Sequence, residues 1–121
     1  MGRRAEDRAA GYVASLGWKI LGRNVTNRYG ELDIVAEDGP ELVIVEVRYR
    51  TLGDVQSPID SVGPKKLRAL VNAGRALVRD MEWPGFWRID LVGITADRFA
   101  DESGWSLEHV RDATRGMDIP T

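Results

Sequence analysis

The sequence contains no cysteine and a single histidine, His109. Disulfides and thiolate metal sites are therefore excluded. A zinc site built on several imidazoles is impossible, and a Ser-His-Asp triad would have to run through one ring. Any metal ion must be held mainly by oxygen, which points to magnesium, manganese or calcium. Long apolar runs are also lacking: none approaches the roughly 18 residues of a membrane span. The N-terminus, Met1-Gly2-Arg3-Arg4-Ala5-Glu6-Asp7-Arg8, is charged with no apolar stretch behind it, unlike a signal peptide. The expectation is a cytoplasmic chain with no membrane partner. An excess of positive charge is missing too. The net charge of −2 argues mildly against a strong sequence-independent DNA binder and leaves room for a local basic patch.

What is present suits one globular domain. The length of 121 residues allows one core, expected over residues 1–112 with a loose tail at 113–121. Helical spacing of Ala5, Ala9, Tyr12, Val13 and Leu16 predicts a helix over 3–16, stopped by Gly17. Strands are predicted over 18–25, 31–37 and 42–50, with a polar turn at 24–30 and a turn signal at Asp38-Gly39-Pro40-Glu41. Residues 51–63 form a loop long enough to be functional. Pro64 suits the first position of a second helix, whose buried face is Leu67, Leu70, Val71, Gly74, Leu77 and Val78. Further strands are predicted at 86–95 and 105–110. The order α-β-β-β-α-β-β is an α/β (α+β mixed) arrangement, a mixed central sheet flanked by helices.

The central hairpin carries the informative residues. On its second strand Val43, Val45 and Val47 share one face. Leu42, Ile44, Glu46 and Arg48 share the other, apolar at one end and charged at the other, which reads as half covered by a helix and half open. A hairpin loop at 38–41 puts Asp33 opposite Glu46 and Glu31 opposite Arg48. Opposed side chains have Cβ atoms about 4.5–5.5 Å apart. Two carboxylates there repel unless a cation lies between them, and a hard divalent ion suits oxygen ligands. The other reading of this pattern is a solvated face with a plain Glu31–Arg48 ion pair.

Several blocks taken together carry a resemblance: Ala5-Glu6; Trp18-Lys19-Ile20-Leu21-Gly22-Arg23-Asn24; Gly30-Glu31-Leu32-Asp33; Val45-Glu46-Val47-Arg48-Tyr49-Arg50; Lys65 or Lys66 with Leu67; and Arg88-Ile89-Asp90. Over roughly residues 2–112 the chain resembles the YraN-like family of bacterial proteins. That family in turn resembles PD-(D/E)XK nucleases, particularly archaeal Holliday-junction resolvases. The resemblance implies a restriction-endonuclease-like core, Mg2+ or Mn2+ as cofactor, and a metal-dependent endonuclease acting on DNA phosphodiesters. Branched DNA and a homodimer are implied by the resolvase likeness. Asp33 matches the first metal carboxylate and Glu46 the second, with the Val47 backbone carbonyl on the same ion. Glu6 matches a helical glutamate that completes the site directly or through water. Arg48 is a departure, because the superfamily usually has lysine there. Arginine keeps its proton at any ordinary pH. It can pair with a phosphate and stabilise charge, but it cannot act as a base. The resemblance therefore leaves a second reading, a nucleic-acid-binding module of the same fold without hydrolysis. A third is a structural or partner-binding protein in which the charges form plain ion pairs.

Around the long loop, Arg48, Arg50, Lys65, Lys66 and Arg68 form a basic cluster, partly offset by Asp54 and Asp60. Lys65 and Lys66 fall in the first helical turn. The helix dipole disfavours cations there, whereas a docked phosphate favours them. Gln56 and Ser57 are candidates for contact with a nucleic-acid backbone or base. Trp83, Phe86 and Trp87 are expected in the core or on a dimer surface rather than stacked on bases. Asp90 is expected to be buried and hydrogen-bonded, and His109 to be a structural or surface residue.

Overall fold

A computed structural model describes residues 3–53, 56–97 and 99–115, without the side chain of Glu102. The elements run in chain order α1 (Arg3–Ser15), β1 (Lys19–Asn27), β2 (Gly30–Asp38), β3 (Glu41–Thr51), α2 (Pro64–Met81), β4 (Trp87–Ala96) and β5 (Ser106–Val110), with short 3-10 turns at Ile59–Ser61 and Glu102–Gly104. The expected order holds. The five strands form one sheet in sequence order. β1–β2, β2–β3 and β4–β5 are antiparallel, and β3–β4 is parallel across the α2 crossover. This is a mixed α+β fold.

Local chemistry sets the boundaries. Gly17, at φ 87°, follows α1 in the left-handed region open to glycine. Pro64 starts α2, and Glu82 ends it in a left-handed conformation, its N–H reaching back to the Arg79 and Val78 carbonyls. The β2–β3 turn is shorter than expected. Asp38 and Glu41 pair, leaving Gly39 and Pro40 as the loop, and the register is the expected one. The first turn is likewise only two residues, Arg28 and Tyr29, because β1 runs on to Asn27. The loop at 51–63 is not structureless: its 3-10 turn packs over Gly93, where a Cβ would come within 2.9 Å of Pro58.

The two helices cover opposite faces of the sheet. Ala5, Ala9, Ala10 and Val13 of α1 pack with Val43, Val45 and Val47. Leu67, Leu70, Val71 and Ala73 of α2 pack with Leu42, Ile44, Ile89 and Leu91. The alternation read along β3 is thus a division between two cores. Leu16, expected on the buried stripe of α1, is exposed. The chain past β5 is anchored as far as Ala113, whose N–H donates to the Ile89 carbonyl at 2.7 Å. Of the expected loose tail, residues 116–121 lie outside the described residues.

Candidate functional site

The β2–β3 ladder runs from Asp38–Glu41 to Ile34–Val45 and stops. Beyond it the strands follow different neighbours. Gly30, Glu31 and Leu32 pair with β1, while Glu46 to Thr51 pair with β4. The result is a fork in the sheet. Leu32 packs in the α2-side core and Ile34 in the α1-side core, so β2 changes face at Asp33.

The fork is bridged by a side chain. Asp33 Oδ2 accepts the Val47 N–H at 2.8 Å, replacing the ladder partner that β2 no longer supplies. The N–H and C=O of a strand residue project to the same side, so the Val47 carbonyl faces this opening too. Asp33 is 7% exposed and Glu46 4%. Burial, then a hydrogen bond with Asp33 and its charge, push the Glu46 carboxyl up to about 8, against the pull of Lys66 and Arg48. The two carboxyl groups thus converge at the fork.

Two cations meet Glu46 at a single oxygen. Glu46 Oε2 lies 3.5 Å from Lys66 Nζ and 3.7 Å from Arg48 Nη1. Arg48 Nε also donates to Ser61 Oγ at 3.1 Å, and Ser61 in turn donates to the Pro58 carbonyl. The expected Glu31–Arg48 pairing does not occur, because the strands have parted before that point. Beside the pair, Val47, Arg48, Tyr49 and Arg50 line an open depression of about 330 Å3.

Glu6 is engaged elsewhere. The Asn24 amide, oriented to satisfy both carboxylates, donates to Glu6 Oε1 at 2.9 Å and Glu31 Oε1 at 3.0 Å. Among the described residues no group of three or more Asp, Glu or His side chains stands close enough to hold a metal ion. The structure thus brings together Asp33, Glu46, Arg48 and Lys66, and leaves Glu6 on Asn24. Lys65 and Arg68 are exposed on α2, Gln56 is exposed in the loop, and Arg50 Nη1 donates to the Tyr49 carbonyl. Ser57 Oγ accepts the Asp60 N–H, and Asp54 lies outside the described residues. Asn24 and Ser61 were not singled out in the sequence. Asn24 sits at φ 52°, a conformation that asparagine tolerates better than most residues, but nothing in its neighbours marks it.

On the α1 face a separate polar cluster is structural. Asp90 is fully buried and accepts from Arg88 Nε at 3.0 Å and from the Asp112 N–H at 2.9 Å. It also bonds His109 Nε2 at 2.8 Å, and His109 Nδ1 meets the Tyr12 hydroxyl at 2.9 Å. Arg88 reaches Asp38 and Glu41 as well, tying down the β2–β3 turn. Burial opposes its charge, but these acceptors prevail and raise its pKa. Trp83 and Trp87 pack against the α2-side core, while Phe86 is 81% exposed.

A mixed sheet with helices on both faces and a buried carboxylate pair at a fork between strands defines the class. Among the described residues no helix is long and apolar enough to cross a membrane. The model of the uncharacterised protein family UPF0102 matches residues 5–94, and the chain belongs to that family. It is 42% identical over 114 residues to a UPF0102 protein of Pseudarthrobacter chlorophenolicus, covering 92% of this chain and 83% of that one. To a UPF0102 protein of Chlorobium chlorochromatii it is 33% identical over 115 residues, covering 93% and 89%. To one of Marinobacter nauticus it is 43% identical over 96 residues, 78% of each.

Proposed function

We propose that this chain is a metal-dependent nuclease of the restriction-endonuclease-like type, acting on DNA phosphodiesters, with Asp33, Glu46 and the Val47 carbonyl holding Mg2+ or Mn2+. The observation that carries this reading is the buried convergence of Asp33 and Glu46. Two acidic groups placed together out of water are costly, and the Asp33 bond to the Val47 N–H accounts for only one of them. A proton relieves the repulsion in part. A hard divalent ion suits the same oxygens better, and the donor set fits one: two carboxylates and a carbonyl on one opening. Such an ion would supply polarisation of a phosphoryl oxygen and an acidified water.

The remaining groups are this chain's own contribution. Arg48 and Lys66 stand where they can neutralise a phosphate. Arg48 holds its proton and acts only through charge. Glu6, which the Asn24 amide holds together with Glu31, would join the site only through water. Lys65, Arg68 and Arg50 would carry the flanking backbone, with Gln56 at the loop. A cytoplasmic location would suit a chromosomal DNA substrate.

The test is incubation of the pure chain with four-way, duplex and single-stranded DNA and manganese. Cleavage is expected, with a loss of at least about a hundredfold in Asp33→Asn and Glu46→Gln, on the scale of a lost electrostatic contact to the reacting group. Cleavage unchanged in both variants would overturn the nuclease reading. The second reading, a binding module without hydrolysis, is favoured by Arg48. Activity that appears only in Arg48→Lys would support it.

A further inference from the structure

Glu46 Oε2 is asked to do more than one oxygen can. It is buried, and it already faces the Lys66 ammonium at 3.5 Å and the Arg48 guanidinium at 3.7 Å. Both distances exceed the roughly 2.7–2.9 Å of a direct charged hydrogen bond, so the cations are held by charge more than by a fixed bond. The Lys66 side chain is 45% exposed and that of Glu46 only 5%. Lys66 therefore approaches from the solvent side, and its flexible stem lets it swing away. Arg48 Nε is bonded to Ser61, so its planar guanidinium presents the Nη groups beside Glu46 from a fixed side.

We infer that Glu46 is a tether linking metal binding to nucleic-acid binding. While Glu46 holds Lys66 and Arg48, those cations are withheld from a phosphate backbone. When Glu46 turns to a divalent ion, both are released toward one. The inference deepens the nuclease reading and rests on it for the metal half. Linkage is reciprocal, so nucleic acid must tighten metal binding by the same factor.

A first experiment needs no metal. Anisotropy titrations of a labelled four-way DNA junction are run in EDTA at pH 9, where the Glu46 carboxyl is ionised, with the full chain and with Glu46→Gln, a variant that keeps the shape of the side chain and loses its charge. Glu31→Gln, an exposed acid bound to Asn24, controls for the net-charge change. Glu46→Gln is expected to bind about tenfold more tightly than wild type, within the usual range of coupling between sites, and Glu31→Gln to change little. Equal gains in the two variants would overturn the tether.

In a second experiment, Mn2+ binding is measured by calorimetry with and without unlabelled junction, whose integrity is checked on a gel. The junction is expected to raise Mn2+ affinity about tenfold in wild type. In Lys66→Met, a change at a half-exposed position on α2, the rise is expected to shrink several-fold. A metal ion bridging protein and phosphate by itself would leave the rise intact in Lys66→Met, which overturns the release step. Mn2+ binding that the junction leaves unchanged overturns the linkage alone. No Mn2+ binding to wild type overturns the metal reading and the linkage with it.

Discussion

At the scale of the residue, Glu46 and Asp90 show two solutions to a buried acid. Asp90 is surrounded by donors: Arg88, His109 and the Asp112 N–H. Removing it strands the buried end of Arg88, so Asp90→Ala is expected to cost about 3–5 kcal/mol in urea unfolding, as for one half of a buried pair. Glu46 instead keeps its proton up to about 8, against a usual 4.5, through burial first and Asp33 second. The folded chain therefore binds more protons than the unfolded chain between those values, and stability falls as pH rises through that window. Relative to Glu46→Gln, wild type is expected to lose up to about 1 kcal/mol per pH unit from 5 to 8. Parallel curves in chemical denaturation would remove the perturbed carboxyl. The sequence made Glu46 and Arg48 legible by alternation along β3, and Asp33 by the hairpin register and the family resemblance. It did not show that Lys66 lands on Glu46 or that Asn24 captures Glu6, since both contacts join segments whose separation only the tertiary packing closes.

At the scale of the element, α2 is where packing overrides propensity. Alanine normally gains about 1 kcal/mol over glycine within a helix. At Gly74, however, a Cβ would stand 2.6 Å from the Trp87 ring and 2.7 Å from Ile44 Cδ1. Gly74→Ala is therefore expected to destabilise by about 1–3 kcal/mol, read as a lower thermal midpoint. A higher midpoint would show that the ring yields. The sequence placed Gly74 on the buried face of this helix, but the reason for glycine lay in a tryptophan arriving from β4. Element boundaries were nearly all legible. The exceptions were the turns: β1 and β2 continue almost to their connection, where polar residues disguise the strand ends, and the loop at 51–63 hides a helical turn held by Pro58 and Ser61.

At the scale of the whole molecule, a net charge of −2 conceals an uneven surface. Lys65, Lys66 and Arg68 occupy the first turns of α2, on the side of the sheet where Arg48 meets Glu46. If that face carries the nucleic acid, affinity for the junction falls steeply with salt, and Arg68→Ala lowers the slope of log K against log salt by about 1. An unchanged slope in filter-binding or anisotropy data would move the contact surface elsewhere. The mixed sheet and the order of elements along the chain followed from the pattern of periodicities, whereas the order of strands within the sheet did not. The fork did not, because the residues on either side of it, Leu32 and Ile34, look alike in sequence and differ only in which core receives them.

That fork also provides a built-in probe. The Val47 amide is retained by an acidic side chain rather than by a neighbouring strand, so its hydrogen exchange reports on Asp33 rather than on the unzipping of the sheet. In deuterated buffer it should respond to any species that competes for that carboxylate, while the Val45 amide next to it in the intact ladder stays silent. A single amide resonance of the isotope-labelled chain could thus follow occupancy of the cleft without a substrate.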